Sequence, residues 1–597
     1  MTSDAAPAPA STFPGIIDRH WLRATLILWL GIALWLMFDR WNTVRWLSLS
    51  DTDDNMRLMQ VRALIAGQDW FDLRQYRLNP PGGFDMHWTR LVDLPIAGLI
   101  LVLKPLVGTA WAERLACGIA PLLPLSVTMV ALAAAVRRLV SPVAWPLALL
   151  LLMMATTTML MFMPVRIDHH GWQLASLAVT MAGLADPQHR RGGASVGLTS
   201  AFSLSIGLEM LPYAAGAGAI IALRWVWDRA EAPRIIAYGT SLALGCALGY
   251  WAFASHANAV ARCDALTPVW LSVMVAAGVL LCLLGLANPA SRAARLTLGL
   301  VAGGAIIAGF AGIFPQCLGR PEQVSPEVQR NWLDNIREAK PVYTHPFRVY
   351  FPVIMLPVIG LIGAAVATSR ARGTANFPAW SAVLLFTLLA GGLLLWQSRA
   401  SAAAQMLGVP GAVALAWIIL PRLLASTSVL VRVLGTVAAF LVLSGGLAGF
   451  VVKWLPFNQT APIVASAAKA GATCPSYSAL NPLNRLSPQV IFTFIDLGPR
   501  LITMTHHSAI AGPYHRNGDA ILDVQHAFGG SADQFRAIAR RHGARLLLIC
   551  PNMAESTVYR ARNKGGFYDQ LARGKVPAWL TPVPLPARSP LKLWRIS

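Results

Sequence analysis

The sequence predicts a polytopic α-helical membrane protein with a small α/β domain at its C-terminal end, and three observations carry that expectation. The chain of 597 residues is 55% hydrophobic and only 13% charged, with a mean hydropathy of +0.54, too apolar for a water-soluble globular protein. Apolar stretches recur along it, about thirteen of which meet or approach the roughly 20 residues that a helix needs to cross a hydrocarbon core about 30 Å thick. From about Lys453 that rhythm gives way to shorter mixed segments.

The net charge of +22 could attract nucleic acid, but its distribution argues against that partner. Arg137-Arg138, Arg190-Arg191, Arg224 to Arg234, Arg292 to Arg295, Arg370 to Arg372 and Arg422 fall in short connections between apolar segments. That is the pattern of cytoplasmic loops, so membrane lipid is the expected surrounding and no nucleic acid is expected.

Taken in order, residues 1–20 are rich in Ala, Pro, Ser and Thr and read as a disordered cytoplasmic leader. Leu22 to Phe38 follows Arg19, His20 and Arg23 without a small-x-small cleavage site, which makes it an uncleaved first span. Leu94 to Val107 is apolar but short and interrupted by Lys104-Pro105, so it reads as interfacial or re-entrant. Further spans are drawn at 114–135, 143–163, 169–185, 195–208, 210–227, 234–254, 268–287, 295–314, 349–368, 378–396, 403–420 and 432–452.

The transmembrane part is therefore 21–452, and the loops at about 39–93 and 315–348 share the outer side with the tail, 453–597. In the tail, Val490 to Ile495, Arg500 to Met504 and Arg545 to Ile549 read as strands, and Ser531 opens a helix to Arg541. Of seven cysteines, Cys117, Cys246 and Cys282 lie in apolar runs. Cys263 with Cys317, and Cys474 with Cys550, are available as pairs in an oxidising compartment.

Two polar clusters stand directly after apolar runs: Ser50-Asp51-Thr52-Asp53-Asp54-Asn55-Met56-Arg57 and Arg166-Ile167-Asp168-His169-His170. Mg²⁺ and Mn²⁺ take carboxylate oxygens, and Mn²⁺ also accepts imidazole, so Asp51, Asp53, Asp54, Asp168 and His170 form a candidate metal set. A carboxylate at a helix start can equally be a cap. Glu209, between two apolar segments, is a functional hint or a helix end at the interface. His506, His507, His515 and Arg516 are ligand types in the tail, where surface histidines are the plainer reading. No Gly-x-Ser-x-Gly elbow, Walker loop or His-Glu-x-x-His motif occurs.

An acidic motif in the first external loop, a second metal motif at the fourth span, a large loop after the ninth and an external tail together resemble the oligosaccharyltransferase catalytic subunits of the C-type (GT-C) glycosyltransferases. Asp51 and Arg57 repeat the spacing of that family's catalytic Asp and the Arg after it. Asp168-His169-His170 is similar to its archaeal Asp-His-His motif. The resemblance implies Asp51 as catalytic residue, with Asp51, Asp168 and His170 as ligands of Mn²⁺ or Mg²⁺, and Arg399 on the lipid-linked phosphate. Asp53, Asp54, Arg57, His169, Glu327, Asp496, His515 and Arg516 are implied as acceptor or supporting residues. Glu327 lies in Val324-Ser325-Pro326-Glu327, which is similar to the family's acceptor-loop motif. The family's Trp-Trp-Asp, which reads an Asn-x-Ser/Thr acceptor, is here Phe494-Ile495-Asp496.

What this implies is an inverting membrane glycosyltransferase of a bacterial inner membrane, with its active site and C-terminal domain in the periplasm. It would move a sugar from a polyprenyl-phosphate or -diphosphate carrier to a glycan, lipid or protein acceptor other than an Asn sequon. A transporter or flippase for lipid-linked glycans, or a non-catalytic assembly subunit, are the alternatives; the first would place charges in mid-span, where Glu209 is the main example.

Overall fold

The computed structural model describes residues 18–455 and 462–597. The leader read at 1–20 lies, up to residue 17, outside the described residues, as do residues 456–461 near the domain boundary drawn at 453. The helices that build the fold are α1 (Trp21–Asp39), α2 (Thr52–Ile65), α3 (Asp93–Ile119), α4 (Leu122–Leu139), α5 (Trp145–Met154), α6 (His170–Leu184), α7 (His189–Ile206), α8 (Leu211–Trp227), α9 (Ala232–Phe253) and α10 (Pro268–Ala287). They continue with α11 (Arg292–Ile313), α12 (Phe347–Arg370), α13 (Phe377–Leu394), α14 (Ser401–Leu424), α15 (Thr436–Leu443) and α16 (Gly446–Trp454).

Among the described residues, nine helical segments are long and apolar enough to cross a membrane, or ten if the bent pair ending in α15 and α16 is one span. The count falls below the thirteen expected for two reasons. The span drawn at 432–452 is the bent pair, which stands outside the nine. Three other expected spans are α5, with 10 residues, α6, with 15, and α7, which carries His189, Arg190 and Arg191 and serines at 195, 200, 203 and 205. Helices α6 and α7 are buried along most of their length, and a helix shielded from lipid by its neighbours does not need an apolar circumference.

Boundaries shift where glycine turns the chain. Leu94 to Val107, read as an interfacial piece, is the first arm of α3, which breaks at Gly108 (φ 76, ψ 163), a conformation open to glycine without strain. The span drawn at 114–135 is consequently the end of α3 followed by α4. The span drawn at 432–452 is bent by 94° between α15 and α16, at Gly445 with φ 73. Helices α12 and α14 cross through Gly360, Gly363, Gly408 and Gly411, where an added Cβ would run into the facing backbone, the close approach that small residues permit in membranes.

The tail carries strands β3 (Val490–Phe492), β4 (Ser508–Ala509), β5 (Leu546–Ile549), β6 (Leu580–Val583) and β7 (Lys592–Ile596), after a hairpin of β1 (Arg74–Gln75) and β2 (Phe84–Asp85) in the first loop. Its five-stranded sheet has the order β4-β3-β5-β7-β6, parallel across β4-β3-β5 and antiparallel beyond. Helices α17 (Gly498–Met504), α18 (Gly518–Gly529), α19 (Ala532–Arg541) and α20 (Ala554–Arg562) surround it.

The Ser531 hydroxyl accepts from Gln534 N at the start of α19, as the sequence predicts. Arg500 to Met504, expected as a strand, is helical. Pro499 sits in the first turn, a position proline favours, and residues 498–503 are buried throughout, so no polar face marks the period. Both cysteine pairs, Cys263–Cys317 and Cys474–Cys550, are disulfides. One apolar cluster runs from the tail into the first loop, combining Ile491, Phe494, Leu501 and Ile510 with Met56, Met59, Leu78 and Trp88. Thus α2 is packed beneath the tail.

Candidate active site

Helix α2 starts where Asp51 turns the chain. Asp51 Oδ1 accepts from Thr52 N at 2.6 Å, and Asp54 Oδ2 accepts from Asp51 N at 3.0 Å, a reciprocal cap that fixes the entry of the helix. The capping reading of these carboxylates is therefore correct for one oxygen of each. Their remaining oxygens reach the second motif. Asp54 Oδ1 accepts from Asp168 N at 3.0 Å, and Asp51 Oδ2 accepts from Arg166 Nη1 at 2.8 Å across 115 residues of sequence. Arg166 Nη2 lies 2.8 Å from Asp168 Oδ2. The two clusters meet, with the Arg166 guanidinium bridging their carboxylates.

His170 Nδ1 lies 3.1 Å from the same Asp168 oxygen. Although these contacts are short, neither Asp168 Oδ2 nor His170 Nδ1 has a partner in hydrogen-bonding geometry, and both are buried. Two orphaned atoms of metal-ligand type beside Asp51 fit a hard divalent cation in donor chemistry. Among the described residues no three His, Cys, Asp or Glu side chains form a ready-made metal group; Arg166 is paired with both Asp51 and Asp168.

Burial would raise the Asp51 carboxyl, but the charge and hydrogen bond of Arg166 leave it below its ordinary value; at 42% side-chain exposure the effect is softened by water. Asp53 is pushed up to about 7, first by burial and then by the charges of Asp51 and Asp168.

A second polar ring adjoins the first. Glu209 Oε1 lies 3.2 Å from His169 Nε2 and 4.0 Å from His87 Nε2, while Glu209 Oε2 accepts from Gln173 Nε2 at 2.9 Å. The His87 and His515 rings are 4.6 Å apart. His515 Nε2 lies 2.7 Å from Asp264 Oδ2, and Arg516 reaches both Asp264 oxygens at 2.7 and 2.8 Å. His87 and Asp264 were not singled out in the sequence, and nothing local marks them: one sits in a turn-rich loop and the other beside a cysteine.

The other candidate residues separate. Arg57 pairs with Asp93 at 2.7 Å, both side chains 0% exposed, and lies 4.6 Å over the Trp88 ring. Glu327 faces His526 on α18 at 2.6 Å, joining the loop to the tail. His506 and His507 contact the backbone oxygens of Leu486 and Leu483. Arg399 lines a small cavity, about 60 Å³, together with His170, Glu209, Tyr213 and Trp396, and stands 3.4 Å from Glu338.

Asp496 opens onto a cavity of about 530 Å³ with Trp332, Arg337, Gln525, Glu555 and Tyr559. The Glu555 carboxylate accepts from Ile495 N and Asp496 N, each at 2.9 Å, and is pushed up to about 8 by burial and then by Asp496. Asp496, solvent-exposed at the cavity, is itself pushed up by desolvation and by the charge of Asp51.

No family model matches the chain, and no curated protein sequence matches it. Solved structures do. The archaeal oligosaccharyltransferase AglB from Archaeoglobus fulgidus, in complex with an inhibitory peptide and a dolichol-phosphate, aligns with a TM-score of 0.67 at 13% identity, covering 95% of this chain and 73% of that one. The A. fulgidus enzyme tethered to an acceptor peptide gives 0.64 at 13% identity over 93% and 72%. Its complex with Zn and sulfate gives 0.58 at 13% over 93% and 71%. The chain shares the oligosaccharyltransferase fold.

Proposed function

We propose that this protein is a glycosyltransferase that moves a sugar from a polyprenyl-phosphate or -diphosphate carrier to an acceptor at the periplasmic face of a bacterial inner membrane. The observation that carries the reading is the convergence of Asp51, Asp168 and His170, with Arg399 lining the cavity beside His170, on a fold whose archaeal counterpart has been solved with a dolichol-phosphate.

Transfer breaks the bond between the sugar anomeric carbon and the carrier phosphate, forms one from that carbon to the acceptor, and releases the acceptor's proton. Asp51, Asp168 and His170 would hold a divalent cation, Mn²⁺ or Mg²⁺, which supplies charge neutralisation for the departing phosphate. Arg399 contributes a fixed positive charge to the same phosphate, leaving the Glu338 carboxylate for it. Asp51, capping α2 with one oxygen and half exposed, orients the acceptor group. Asp54 and Arg166 hold the two motifs in register, and His169 is held by Glu209. Asp53, His515 and Arg516 border the site, while Arg57 and Glu327 support its frame. Attack from the face opposite the leaving carrier makes the reaction inverting.

The acceptor side favours something other than an Asn sequon. Phe494 is buried and packed among Phe528, Tyr559 and Tyr568, so the segment replacing Trp-Trp-Asp offers the cavity Ile495 and Asp496 and no aromatic ring. The test is transfer of a radiolabelled sugar from polyprenyl-linked donors by purified protein, before and after EDTA and with Mn²⁺ restored. Loss on chelation and return with Mn²⁺ is expected. Transfer that survives chelation removes the metal from the account, and Asp168→Ala protein with full activity removes the site.

A further inference from the structure

At the opposite end of the bundle from Asp51, a groove of about 360 Å³ opens between α4, α6 and α7. Fifteen residues of α6 separate its start at His170 from its end, which at 1.5 Å per residue puts roughly 22 Å between the groove mouth and the Asp168 cluster. The groove wall is made by Val127, Val130, Ala134, Val179, Ala182 and Gly183. Small residues there recess the wall below the surrounding helices. Helix α4 belongs to a run long and apolar enough to cross a membrane, and Val127 on the groove wall is exposed on its outer side, the side that meets hydrocarbon in a bilayer.

The mouth is polar and positive. Asp186 Oδ2 and Oδ1 accept from Arg191 Nε at 2.6 Å and Nη2 at 2.9 Å. Arg138 Nη2 stands 3.1 Å from the same carboxylate, and its Nη1 donates to Ala182 O at 2.8 Å. One carboxylate therefore answers two guanidinium groups, and exposed Arg190 beside them adds a third positive charge.

We propose that this groove binds one anionic phospholipid, with an acyl chain along the apolar wall and the phosphodiester headgroup on Arg138 and Arg191. Each half of the argument constrains the other. An unfilled apolar groove forfeits dispersion contacts on one side, and in a bilayer the molecule that fills it is an acyl chain. A guanidinium fork matches phosphate geometry better than a point charge does, and the excess of arginine over aspartate selects a headgroup with net negative charge. Arginines at helix ends also serve as topology signals, but a topology signal needs no recessed apolar groove behind it.

The test is native mass spectrometry of the full-length protein in detergent with equimolar dioleoyl-phosphatidylglycerol and dioleoyl-phosphatidylcholine. One phosphatidylglycerol should be retained in preference to phosphatidylcholine. The Arg138→Gln/Arg191→Gln variant should bind it about tenfold more weakly, since each arginine near an anionic headgroup contributes about a factor of five and Asp186 offsets part of the pair. Val127→Trp fills the groove from a lipid-facing position that is 36% exposed; it should displace the lipid without touching the charges. Arg422→Gln, at another helix end, should leave retention unchanged. Equal retention of the two lipids, unchanged binding in either groove variant, an equal loss with Arg422→Gln, or a polyprenyl phosphate as the bound species would each overturn the proposal.

Discussion

Helices α2 and α11 invert the usual relation between polarity and burial. Helix α2 is polar in sequence, yet Asp54 through Val61 are buried without interruption, including Asn55, Arg57 and Gln60. Helix α11 is apolar over 22 residues, and the one residue it buries is Arg295, whose guanidinium caps the carbonyls of Val226, Pro289 and Ala290. In a chain whose solvent is lipid, hydropathy records contact with lipid rather than membership of a core. Burial of polar groups instead marks the places where the fold is pinned or the chemistry is held.

The comparison is most exposed at Arg57. Replacing it with Met takes away the nearer of the two guanidinium groups that answer the fully buried Asp93 and leaves only Arg90, at 3.6 Å, so a loss near the lower end of the cost of breaking a buried pair, about 3 kcal/mol, is expected. Thermal unfolding in detergent should show that loss, with Arg57→Lys recovering part of it; a change below about 1 kcal/mol would mean that α2 is not pinned by its polar residues.

Next in size is Asp264→Asn, which removes the negative charge and one of the two carboxylate oxygens that answer His515 and Arg516. About 2 kcal/mol is expected, read as earlier release of the tail in limited proteolysis. Burial alone would raise the Asp264 carboxyl, but the hydrogen bonds from Arg516 and His515 hold it well below the usual carboxylate range. Its folded value is depressed, so its stabilisation is complete above the unfolded carboxylate value of about 3.9 and fades as pH falls from there toward the folded value. Tail docking in the wild type should weaken below about pH 4 and lose that dependence in Asp264→Asn.

Arg399→Gln should raise the donor KM about tenfold, roughly 1.4 kcal/mol, with little change in unfolding temperature. Smallest of all is Leu300→Ala on α11, a side chain 67% exposed, where less than about 0.5 kcal/mol is expected. A larger loss would show that α11 packs against protein rather than lipid.

The same contrast explains what the sequence disclosed. Spans such as α10 and α11 were legible because lipid contact is written directly as hydropathy. Helices α6 and α7 were harder because their neighbours shield them and relax that requirement, and α17 read as a strand because it is buried on every side. The Asp51 and Asp168 motifs stood out by residue type and position after apolar runs. Arg166 was visible inside the second motif, but its place between three carboxylates exists only once the chain brings the motifs together. His87 and Asp264 enter through loops distant in sequence, and the pairing of Arg57 with Asp93 is likewise a long-range fact that no local pattern announces.

The central claim is that two motifs distant in sequence form one metal site, and Mn²⁺ binding followed by electron paramagnetic resonance tests it most directly. Wild-type protein should bind one Mn²⁺, and Asp51→Ala, Asp168→Ala and His170→Ala should each weaken binding by at least about tenfold. Wild-type affinity in the Asp51 and Asp168 variants alike would contradict the account.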